Sequence, residues 1–105
     1  MPPAPLTPAV FHILLALADG PLHGYAIMQA VEESAGLAMG PGTIYGTIER
    51  LEALGFVREV ASDQADRRRI FRLEPAGRKA LQNEARRLAA LTALARAKRL
   101  LPEKS

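Results

Sequence analysis

No chain of 105 residues can cover by itself the apolar stripe that runs through its last third. From Pro75 to about Leu101 the residues are rich in alanine, leucine and arginine, all strong helix formers. At 1.5 Å rise per residue that stretch makes a helix of roughly 40 Å. Leu81, Leu88 and Ala95 recur every seven residues, as do Leu94 and Leu101, with Leu91 alongside. The stripe outruns the core available within one chain. Its simplest satisfied state is packing against the same helix of a second copy, which makes these six residues the expected dimer interface. If the leucines only covered their own core, the distal half of the helix would be left exposed.

Upstream of that helix the sequence is punctuated into short elements. Pro2, Pro3, Pro5 and Pro8 make residues 1–6 an extended arm. Thr7 is a natural N-cap with Pro8 at the first helical position, and Val10, Ile13, Leu14 and Leu17 then share one face, thickened by Phe11 and Leu15. Asp19-Gly20-Pro21 stops this helix. A second helix runs from about Gly24 to Glu33, with Ile27, Met28 and Val31 inward, and Ser34-Ala35-Gly36 breaks it. Gly40-Pro41-Gly42 reads as a tight turn with Thr43 as the N-cap of a third helix. That helix would bury Ile44, Ile48, Leu51 and Leu54, end at Gly55, and turn Thr43, Tyr45, Gly46, Thr47, Glu49 and Arg50 outward. The period then changes. Phe56–Val60 and Arg68–Leu73 alternate apolar with polar across a polar turn, which predicts a β-hairpin.

The charge is unevenly placed. The net charge is +3, but residues 1–57 carry −4 and residues 58–105 carry +7. A basic half on a small domain points to a polyanion, most simply nucleic acid. The absence of cysteine removes disulfide frameworks, thiolate zinc sites and cysteine nucleophiles together. Two histidines without nearby carboxylate partners give no expectation of a metal, a cofactor or a catalytic centre. The longest apolar run, Ala9–Ala18, contains His12 and is far short of the ~20 residues a bilayer span needs. The first residues have no basic n-region, so a cytoplasmic chain is expected.

Helix, helix, turn, helix, hairpin is the order of a winged helix-turn-helix. The expected fold is therefore mainly α (α+β), with a two-stranded β-wing and a long C-terminal dimerisation helix. Residues 7–73 would form the DNA-binding domain and residues 74–105 the dimerisation helix and tail. A third helix that begins with small and hydroxylated residues can enter a major groove about 12 Å wide, while a basic hairpin meets the backbone. Arg67, Arg68 and Arg69 place three adjacent cations on that hairpin, and strand alternation prevents all three from facing the same phosphates.

Several motifs, in order, resemble the PadR family of transcriptional regulators. They are Leu6-Thr7-Pro8, Gly20-Pro21-Leu22-His23-Gly24-Tyr25-Ala26-Ile27, Gly42-Thr43-Ile44-Tyr45, Arg50-Leu51-Glu52, Gly55-Phe56-Val57, Asp66-Arg67-Arg68-Arg69, Phe71-Arg72-Leu73 and Ala76-Gly77-Arg78. The resemblance implies a dimeric winged-helix repressor that binds double-stranded DNA and is often released by a small effector. Where the family commonly has proline after the helix-three tyrosine, this chain has Gly46.

The residues expected to touch a pseudo-palindromic operator are His23, Tyr25, Thr43, Tyr45, Gly46, Thr47, Arg50, Arg67, Arg68 and Arg69. For some of them a structural role stands beside the functional one. Tyr45 is either a DNA contact or a core tyrosine, and Arg50 either a DNA contact or the partner of Glu49. His23 is either a helix cap or a phosphate donor, whereas His12 reads as structural. A winged helix that binds another protein and not DNA is the alternative function.

Overall fold

The computed structural model describes residues 5–36, 38–60 and 68–102. Thr7 opens α1 (Pro8–Ala16): its hydroxyl accepts from the Val10 N–H at 3.3 Å, and Pro8 needs no partner for the N–H it lacks. A two-residue strand, β1 (Leu22–His23), leads directly into α2 (Gly24–Ala35), which ends on left-handed Gly36. Then follow α3 (Pro41–Ala53), β2 (Val57–Val60), β3 (Ile70–Leu73) and α4 (Pro75–Ala97). The expected winged helix-turn-helix is the fold observed, with one addition. β1 pairs antiparallel with β3, so the sheet has three strands in the order β1-β3-β2, and the hairpin is its outer part. The turn of that hairpin and Arg67 lie outside the described residues.

One core holds the helices and sheet together. Ile13, Leu14 and Leu17 of α1 meet Ile27 and Val31 of α2, Ile44, Ile48 and Leu51 of α3, and Val57 and Phe71 of the sheet. Across the α1–α2 contact His12 Nδ1 lies 2.7 Å from the Ser34 hydroxyl, the structural role expected of it. Leu81 belongs to this core as well. It was expected at a dimer seam, but it lies only two turns into α4, where that helix crosses α1. The start of α4 is bound closely to the body. Arg78 donates to the Ala18 carbonyl at 2.9 Å, just past the end of α1, and a Cβ on Gly77 would fall 2.1 Å from the Phe56 carbonyl oxygen. Glu84, one turn further on, is buried and paired with Arg87, whose hydrogen bond holds the carboxyl below its ordinary range.

Three further expectations are corrected. Gly40, not Thr43, is the N-cap of α3, because Pro41 favours the first helical position and draws the helix start three residues earlier. Leu54 is 63% exposed, since it follows the last residue of α3 and the chain turns away at left-handed Gly55. Leu15 is 44% exposed, on the side of α1 away from Ile13 and Leu14.

Candidate nucleic-acid interface

Helix α3 presents its first turn and one flank to solvent. Gly42, Thr43, Glu49 and Arg50 are exposed and Gly46 is half-buried. Thr47 belongs to the interior: it is 3% exposed, although the sequence placed it outward. Its hydroxyl donates to the Thr43 carbonyl one turn back at 2.8 Å and accepts from Arg50 Nη2 at 3.4 Å. That local bond satisfies the buried oxygen and so makes the inward position tolerable. The expected outward set therefore splits by side-chain direction, and Arg50 donates to Thr47 on its own helix.

Tyr45 stands between helix and sheet. Its ring lies 6.4 Å from that of Phe71, and its hydroxyl is against Gly24, where a Cβ would come within 2.1 Å. The missing side chain at the first residue of α2 is thus what admits the phenol. His23, the residue before it, caps α2: its Nδ1 accepts from the Ala26 N–H at 3.2 Å. Its other ring nitrogen, Nε2, lies 3.2 Å from Arg68 Nη1, which brings the cap of α2 against the wing arginine. Tyr25, two residues into α2, is largely exposed nearby in sequence.

Strand alternation sorts the described wing arginines. Counting back from Phe71 puts Arg69 on the core side and Arg68 with Ile70, the cross-strand partner of His23. Arg69 Nε and Nη2 both donate to Glu59 Oε1, at 3.1 and 2.8 Å. This hydrogen bonding holds the Glu59 carboxyl below its ordinary range and raises Arg69 further. On the outer side Arg58 and Arg72 are directly opposed across β2 and β3. Glu74 lies between them, 3.0 Å from Arg58 Nε and 3.5 Å from Arg72 Nε. The sequence assigned no site role to Glu59, Glu52, Glu74 or Gly24. The strand parity that would have paired Glu59 with Arg69 was present in it, but the register was not.

Contacts thus link the start of α2, α3 and the base of the wing. Residues 13–83 match the transcriptional regulator PadR-like family. The chain belongs to the PadR family. This PadR-family chain is 41% identical over 78 residues to the transcriptional regulator Rv3488 of Mycobacterium tuberculosis, an alignment covering 73% of this chain and 72% of that protein. It is 50% identical over 80 residues to an uncharacterized 37.1 kDa protein in transposon TN4556 of Streptomyces fradiae, covering 76% of this chain and 23% of the longer one.

Its fold is similar to that of a PadR family transcription regulator from Clostridium difficile R20291. The TM-score is 0.78 at 18% identity, over 87% of this chain and 97% of that one. It is also similar to Bacillus subtilis PadR in complex with operator DNA, with a TM-score of 0.66 at 24% identity, over 76% and 46% of the two chains. PadR-family proteins are transcriptional regulators, not enzymes. Among the described residues no helix is long and apolar enough to cross a membrane.

Proposed function

We propose that this PadR-family chain is a cytoplasmic, sequence-specific repressor that binds a pseudo-palindromic operator as a homodimer. The observation that carries the reading is the meeting of His23, the cap of α2, with Arg68 of the wing, together with the exposed first turn of α3. In this reading residues 7–73 read DNA and residues 74–105 join the two copies. The start of α3 enters the major groove with Thr43, Gly46 and Arg50, while His23, Tyr25, Arg67 and Arg68 hold phosphates. Tyr45 and Thr47 act from behind, by setting the angle and the first turns of α3. The distal half of α4 supports the dimer: Leu91 is 48% and Leu94 54% exposed, with Leu88 and Ala95 along the same helix, while the expected Leu101 lies beyond its end at Ala97. What supports a small effector is family likeness alone.

Selection of bound fragments from genomic DNA, starting beside the protein's own gene, tests the function. If each subunit neutralises about three phosphates, log K falls against log salt with a slope of roughly −5. Equal binding to any duplex of the same length would refute sequence-specific regulation. No binding, together with a stably co-purifying protein, would favour the interaction module.

A further inference from the structure

We propose that Arg69 serves as a positioning residue, clamping the wing to the recognition helix, while its neighbour Arg68 meets the phosphates. The assignment rests on the DNA-binding reading above and divides labour within it. Four groups surround the Arg69 guanidinium. Glu59 on β2 accepts from both Nε and Nη2, and Glu52 on α3 lies 4.0 Å from Nη2. The guanidinium carbon sits 5.8 Å from the Tyr45 ring centroid and 5.1 Å from that of Phe71. Two of these four groups belong to α3 and two to the hairpin, so the side chain spans the joint between them.

Its chemistry suits a clamp. A planar guanidinium can stack on aromatic faces and donate from its edge at once, which a lysine ammonium cannot do. Both carboxylates also compete with a phosphate for it. Taking Arg69 to the DNA backbone would leave Glu52 and Glu59 unneutralised close to a polyanion. Arg68 lies on the opposite parity, with its Nη1 3.2 Å from His23 Nε2.

The test uses the full chain, a duplex obtained by the genomic selection and a scrambled duplex of equal length, titrated at several salt concentrations. Arg69→Ala is expected to reduce discrimination between the two duplexes on the order of tenfold while leaving the salt slope unchanged. Arg68→Ala should weaken both alike and flatten the slope by about one per subunit. Glu59→Gln should follow Arg69→Ala even though it removes a negative charge, and Arg69→Lys should fail to restore discrimination. Each variant is compared at equal active fraction, so loss of folded protein alone does not register. In the free protein, the Arg69 Nε–H proton should exchange slowly by NMR and lose that protection in Glu59→Gln. A flattened slope in Arg69→Ala, tighter binding by Glu59→Gln, wild-type behaviour of Arg69→Lys or a rapidly exchanging Nε–H would each overturn the clamp. A wild-type protein that binds no duplex would instead remove the DNA reading itself, and this role with it.

Discussion

Gly24 and Tyr45 form a single packing unit made from two distant residue types. The ring fits because there is no Cβ opposite it, so Gly24→Ala forces either the phenol or the start of α2 to move. Overpacking of this kind costs roughly 1–3 kcal/mol, more than the ~1 kcal/mol that alanine gains over glycine inside a helix. Denaturant titration should show the net loss. Gly24→Ala combined with Tyr45→Ala should cost less than the sum of the two single changes, because the clash needs both side chains. A second residue-scale expectation concerns Glu59. Its folded carboxyl titrates below the ordinary value of 4.5 because Arg69 hydrogen-bonds the ionised form. Its stabilising contribution is therefore complete above the ordinary carboxylate range and disappears as pH falls through the lowered folded value. The urea midpoint of wild type should exceed that of Glu59→Gln at neutral pH, and the gap should close in acid. A gap independent of pH would deny the pairing.

At the scale of elements, the punctuation of the sequence was readable and its details less so. Thr7 caps α1 as expected because an N-cap depends only on residues within one turn. Replacing it by alanine should cost about 1 kcal/mol by chemical denaturation. α3 starts three residues before the expected position, since Pro41 and Thr43 both carry start signals and only the path of the preceding chain selects between them. α4 joins the body through Gly77, at a distance from the Phe56 carbonyl that no Cβ could accept. The obstruction there is backbone, which cannot rotate away, so Gly77→Ala should lower stability by more than 1 kcal/mol despite its better helix propensity. An unchanged denaturation midpoint would mean that α4 docks differently.

For the whole molecule the deciding feature is length. The described body extends 53 Å along its longest axis against 32 and 23 Å across, because α4 continues past the core. Leu81 ends inside the chain, whereas Leu91 and Leu94 remain accessible. Leu91→Glu with Leu94→Glu therefore changes nothing that holds a single copy together. Light scattering should report monomers, circular dichroism should report unchanged helix content, and operator affinity should fall. An unchanged mass would refute the seam on α4 and leave the fold intact.

Local chemistry alone determined that four helices form and roughly where, the order of a winged helix-turn-helix, the basic hairpin and a last helix that runs past its own core. These follow from signals within a turn or a strand: proline at a first position, glycine at a left-handed end, apolar spacing, the sign of neighbouring charges. The tertiary structure decided which side chains of those elements are available. Thr47 could turn inward because its own helix satisfies its hydroxyl, and Tyr45 was drawn in by a glycine twenty-one residues away. Strand register gave Arg69 to Glu59 and Arg68 to His23. Availability depends on what packs opposite, and in this fold the opposite surface comes from remote sequence.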